Sequence, residues 1–246
     1  MRAMKMKNTI SQTRLFLAPM VAVALTATAY AAAPGITGPT FNLTAQTAFI
    51  SQPDGTSIYS WGYGCSVAPS GYAPAAISGT FCNTMQVPGP TLIVTQGQTV
   101  TVNLTNGLPA SAGNTSILFP GFQVTTTGGV AGLLTQEASQ TTQVTYTFTA
   151  SVPGTRGYYS GTQGDLQVEM GLYGAIIVLP STVPSVCTTG LAATNLTAEA
   201  HWGESDFRLA NVSGGVGAAY GHAKTCYDRE YLFQFSEMDP NIHLQA

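Results

Sequence analysis

Three histidines, four cysteines and eleven carboxylates are what this 246-residue chain has for metal binding or proton transfer. His201, His222 and His243 are each isolated. None forms a His-x-His pair or another recognised ligand spacing, so surface or hydrogen-bonded imidazoles are expected. Glu199, His201, Glu204 and Asp206 gather loosely around Trp202, a set able to hold a divalent ion weakly. Their setting, rich in Gly, Ala, Asn and Thr, favours a solvated face instead. Met238 and His243 are soft and borderline donors, but Asp239-Pro240 between them reads as a turn, which makes both structural. A copper-binding cysteine wants a histidine within a few residues. Cys187 has none until His201, Cys226 none until His243, and Cys65 and Cys82 none close by. Ser160 follows Tyr158 and Tyr159 with no His or Asp arranged as in a nucleophile elbow, so hydrolysis is unsupported.

Two further segments carry a pattern of Gly, Pro and strand blocks. The first reads Val87-Pro88-Gly89-Pro90-Thr91-Leu92-Ile93-Val94, then Gly97-Gln98-Thr99-Val100, and closes with Asn114-Thr115-Ser116-Ile117-Leu118-Phe119-Pro120-Gly121. The second reads Gly154-Thr155-Arg156-Gly157-Tyr158-Tyr159-Ser160-Gly161, then Gly171-Leu172-Tyr173-Gly174 and an apolar strand. In this order they resemble the opening domain of the multicopper oxidases. The resemblance spans residues 87–180, with weaker support upstream from Thr40. It implies a cupredoxin fold and a family pattern of Thr-Ser-Ile-His-x-His-Gly and Gly-Thr-x-Trp-Tyr-His-Ser-His. In that register the four histidine positions fall on Leu118, Pro120, Tyr159 and Gly161. The family's histidines supply one domain's share of a copper cluster that reduces dioxygen. Leucine, proline and glycine side chains have no donor, and a neutral tyrosine is a poor substitute for imidazole. No metal or other cofactor is therefore expected here; copper is the alternative.

Residues 1–14 are basic, with Arg2, Lys5, Lys7 and Arg14, and an apolar run follows to Ala29. With the small-residue site Ala29-Tyr30-Ala31, residues 1–31 read as a secretory signal peptide. The run is shorter than the roughly 20 apolar residues a membrane span needs, so no stable span is expected after cleavage, and the chain is expected to be periplasmic or secreted. Cleavage leaves four basic against eleven acidic residues, a net charge of −7. Phosphate binding needs clustered Lys and Arg, so nucleic acid is excluded as a partner. Charged residues are only 8% of the chain. Four cysteines in an exported chain predict two disulfides. Three pairings are open, and nearness in sequence favours Cys65 with Cys82 and Cys187 with Cys226.

The elements that position these residues read as all-β. Residues 98–105 alternate Val100, Val102 and Leu104 with polar residues, and residues 142–149 do the same with Val144, Tyr146 and Phe148, the period of a strand with one buried face. The short apolar runs 91–95 and 175–179 read as strands buried on both faces, and Phe41, Leu43 and Ala45 open another. The count suits a Greek-key β-sandwich of cupredoxin type over residues 32–184, with an irregular extension over 185–246. That extension is expected to end in an isolated strand carrying Tyr231, Leu232, Phe233 and Phe235, which a single strand cannot satisfy alone. It would pair back onto the domain or with another copy or partner chain. The expected function is a noncatalytic exported domain for binding or assembly; the alternative is the scaffold part of a split or truncated copper-dependent oxidase.

Overall fold

The computed structural model describes residues 33–73, 82–185, 217–227 and 230–246. The strands are β1 (Gly35–Thr37), β2 (Thr40–Ser51), β3 (Ser57–Cys65), β4 (Gly71–Ala73), β5 (Leu92–Thr95), β6 (Thr99–Asn106), β7 (Thr125–Gly128), β8 (Val130–Ala131), β9 (Gln136–Glu137), β10 (Gln143–Thr149), β11 (Gly154–Tyr159), β12 (Tyr173–Leu179), β13 (Gly217–Ala218) and β14 (Cys226–Tyr227). Among the described residues two short helices accompany them, α1 (Gly164–Glu169) and α2 (Pro240–His243). One sheet has the order β11-β12-β5-β1-β4 and the other β3-β2-β6-β10-β7. The chain passes between sheets from β1 to β2 and from β5 to β6, so β1 runs parallel to β5 and β2 parallel to β6. This is the expected all-β Greek-key sandwich of cupredoxin type.

Alternation places the core. Phe41 and Leu43 on β2, Val100, Val102 and Leu104 on β6, and Val144, Tyr146 and Phe148 on β10 point inward, meeting Ile36, Leu92, Val94, Ile176 and Val178 from the other sheet. The strands read as buried on both faces are so. Ile93 and Ile177 point to the outer face of the first sheet, where Ala33 and Leu232 cover them.

β3 is not announced by sequence, because glycines alternate with its large residues. Trp61, Tyr63 and Cys65 are buried, while Gly62 and Gly64 lie against the backbone of residues 84–86. A Cβ at Gly64 would stand 2.7 Å from the Thr84 carbonyl oxygen. The Cys65–Cys82 disulfide, whose Cα atoms are 5.3 Å apart, ties this contact together, as expected.

The C-terminal segment corrects one expectation. Residues 230–239 form no strand and pair with none. They keep the alternation without the partner: Leu232 packs against the first sheet, while Tyr231, Phe233 and Phe235 stay exposed. Side-chain contacts replace the ladder. The Ala33 N–H donates to Glu230 Oε2 (3.2 Å), Tyr173 and Ser236 hydroxyls hydrogen-bond, and Gln52 Nε2 donates to Met238 Sδ (3.5 Å). Asp239-Pro240, read as a turn, opens α2 instead, with the Asp239 carboxylate accepting from the Asn241 N–H (2.9 Å) and proline in the first turn. The signal peptide, Cys187 with its pairing to Cys226, and the Glu199–Asp206 group around His201 lie outside the described residues.

Replacing Cys65 and Cys82 together by alanine opens a loop of sequence separation 17. Urea denaturation is expected to show a loss of about 3 kcal/mol; an unchanged midpoint would mean that the cross-link adds nothing to stability.

Candidate functional site

Two chain segments converge at one end of the sandwich. The first, residues 114–121, follows β6 through a 3-10 turn at Ala110–Ala112. The second runs from the end of β11 to the start of α1. They meet through backbone: the Leu118 N–H donates to the Tyr159 carbonyl (2.7 Å), and the Tyr159 N–H donates to the Leu118 carbonyl (3.3 Å). Gly161 comes against the same place, since a Cβ built there would lie 2.7 Å from Leu118 Cγ. The structure thus brings together three of the four positions singled out in the sequence. Pro120 is exposed two residues beyond Leu118. Between them Phe119 turns inward and packs on Phe148 with ring centroids 4.9 Å apart.

Beneath this surface the segments are held by side-chain hydrogen bonds. The Ser116 and Thr162 hydroxyls are 2.8 Å apart, and Thr162 Oγ1 donates to Glu137 Oε1 (2.8 Å), whose other oxygen accepts from Asn114 Nδ2 (3.1 Å). Gln167, fully buried on α1, accepts from Thr115 Oγ1 (2.9 Å) and Ser160 Oγ (2.6 Å) on one oxygen and donates to the Asn114 carbonyl (2.7 Å). Buried polar atoms cost free energy unless paired, and here these are paired. Sequence reasoning missed Gln167, Thr162 and Glu137. A glutamine in a short helix or a glutamate on a two-residue strand gives no periodic signal of burial.

Two tyrosines brace the same loop, and a third holds the turn at Pro90. Tyr63 donates to the Ser116 carbonyl (3.2 Å), Tyr146 accepts from the Ile117 N–H (3.1 Å) while donating to the Gln136 carbonyl (2.8 Å), and Tyr158 donates to the Pro90 carbonyl (2.7 Å). Burial pushes all three phenols well above the ordinary tyrosine range. They stand as neutral donors, because a phenolate here would lose its hydration and its acceptor partner together.

The two described histidines lie elsewhere. His222 is exposed, and its Nδ1 accepts from the Lys224 N–H (3.1 Å). His243 is 2% exposed; its ring nitrogens face the carbonyl oxygens of Tyr59 and Glu169, the latter at 3.1 Å. It anchors α2 to β3, the structural part expected of it. Among the described residues, no three His, Cys, Asp or Glu side chains gather as a metal-binding group. No helix among them is long and apolar enough to cross a membrane.

With two Greek-key sheets and these two loops at one end, the molecule is a cupredoxin-like domain. The family model described as Multicopper oxidase matches residues 72–182. Similar solved structures include a multicopper oxidase from Pseudomonas Thermotolerans, 20% identical, covering 60% of this chain and 31% of its own, with a TM-score of 0.45. A multicopper oxidase from Pediococcus acidilactici is 20% identical, covering 59% and 27%, with a TM-score of 0.42. A copper nitrite reductase from Nitrosomonas europaea is 21% identical, covering 62% and 46%, with a TM-score of 0.41. The chain therefore spans less than half the length of each of these proteins. No curated protein matches the sequence.

Tested against the copper that the family implies, the residues present do not fit. Leu118, Pro120 and Gly161 offer no side-chain donor, and Tyr159 would have to give up its proton to become a good one.

The braced tyrosines set an alkaline limit. In the unfolded chain phenols ionise near pH 10, whereas in the folded chain they hold their protons to higher pH. Their contribution is thus complete below about pH 10 and is lost as pH rises beyond it. The melting temperature is expected to hold up to about pH 10 and to fall as pH rises beyond it, with the buried phenolates appearing only on unfolding; ionisation of all tyrosines in the folded state would contradict this.

Proposed function

We propose that this chain is a cupredoxin-like domain of multicopper oxidase type that holds no copper at its former ligand positions and works by binding or assembly rather than by catalysis. The carrying observation is the packing at Leu118. Its side chain stands in the space that any side chain at position 161 would need, and the backbone hydrogen bonds to Tyr159 fix it there. The leader-like residues 1–31 and the Cys65–Cys82 disulfide support export to an oxidising compartment. For contact with a partner chain, the exposed rings of Phe233 and Phe235 are the favoured surface. They stack 6.4 Å apart and are 73% and 92% exposed, far from the usual state of phenylalanine.

Protein exported with copper supplied, then purified, is expected to carry substoichiometric copper by mass spectrometry. One tightly bound copper per chain, or density for a metal between Leu118 and Tyr159, would overturn the reading and restore the scaffold of a copper oxidase as the alternative. The partner surface is tested by mass in solution: Phe233→Ser with Phe235→Ser should dissolve any oligomer of the wild-type chain, and an unchanged oligomer would remove that surface from the proposal.

A further inference from the structure

A pocket of about 440 Å³ lies between the first sheet and the extension. We propose that it binds an organic ammonium ion. Its floor is the start of β11 and the outward side of β12, including Thr155 and Ile177; its walls are Tyr220, Tyr227, Glu230 and Tyr231.

The wall chemistry selects the ligand. Tyr220 and Tyr231 are half exposed or more, so their ring faces are open to a ligand. An aromatic face attracts a cation through its quadrupole, and several rings with one carboxylate suit an alkylated ammonium, whose charge is spread over a weakly hydrated surface. Glu230 supplies the carboxylate and is held in place by the Ala33 N–H at 3.2 Å. The burial of Tyr227, aided by the negative charge of Glu230, pushes its phenol above the ordinary range. Among the described residues, no Lys, Arg or His lines the pocket. The volume falls in the range of small-molecule sites and leaves room for the body carrying the ammonium.

The Tyr220 ring packs on the start of β11: Gly154 has φ +126°, and a Cβ there would be in ordinary van der Waals contact with the ring at 3.4 Å. The pocket is distinct from the Leu118 and Tyr159 surface. Gly154 and Tyr159 are at opposite ends of β11, about 16 Å apart at the rise of a strand. The inference is therefore independent of whether copper binds at that surface.

Calorimetric titration of the purified chain with choline chloride tests it, alongside 3,3-dimethylbutan-1-ol, the uncharged isostere. Choline is expected to saturate a single site, with the isostere about tenfold weaker or more, as loss of cation–π and ionic attraction requires. Glu230→Gln keeps an acceptor for the Ala33 N–H and removes the charge; Tyr231→Ala removes an exposed ring without touching the core. Each should weaken choline about tenfold while leaving the melting temperature near that of the wild type. Absence of saturable choline binding, equal binding of the isostere, or unchanged affinity in both variants would overturn the proposal.

Discussion

A sheet that is apolar on both faces needs two covers, and much of this structure follows from that requirement. β5 and β12 carry unbroken apolar runs, so burying Leu92 and Ile176 against the second sheet leaves Ile93 and Ile177 facing outward. Exposed, these side chains would each forgo about 1.5–3 kcal/mol of burial. The C-terminal segment lies over them with Leu232, and Ala33 completes the cover. Once there, the segment has to be held without a β-ladder. Glu230, Ser236, Met238 and the buried His243 hold it by side-chain contacts spread along its length. The tyrosine-lined pocket lies beside this cover, between β11, β12 and the extension.

At the other end of β11, the problem solved is how to join two loops. In a metal site, imidazoles from both would share an ion. Here Gln167, Ser160 and Thr115 share one amide oxygen, and Ser116, Thr162, Glu137 and Asn114 form a second chain of hydrogen bonds. Each bond is worth only about 1 kcal/mol net, but leaving any of these buried groups unpaired would cost more. The network therefore fixes geometry more than it adds stability. The hydroxyls of Tyr63 and Tyr146 extend the same logic to the backbone of Ser116 and Ile117.

How far the sequence announced this depends on the kind of signal. Alternation placed β6 and β10, and apolar runs bounded by Gly and Pro placed β5 and β12, because a strand's side-chain period is local information. β3 was hidden because Gly62 and Gly64 exist for a close backbone approach that only the fold reveals. The segment around Phe233 had the right period for a strand, and its alternation survived, but pairing depends on a free edge nearby, which no local pattern encodes. At the site, the family pattern located positions 118, 120, 159 and 161, and the structure brought 118, 159 and 161 together. Gln167 and Glu137 were invisible, since a polar residue that is buried only by tertiary packing looks like any surface residue.

The contact between Leu118 and Gly161 has an evolutionary meaning. A side chain at 161 is tolerated only after Leu118 shrinks or moves, whereas Leu118 can change while 161 is still glycine. The two positions are therefore epistatic, and the order of substitutions is constrained in one direction. A lineage carrying this pair meets a steric barrier to placing any larger side chain at 161. Drift alone would then keep the surface in its present form long after any selection for or against a metal had ceased.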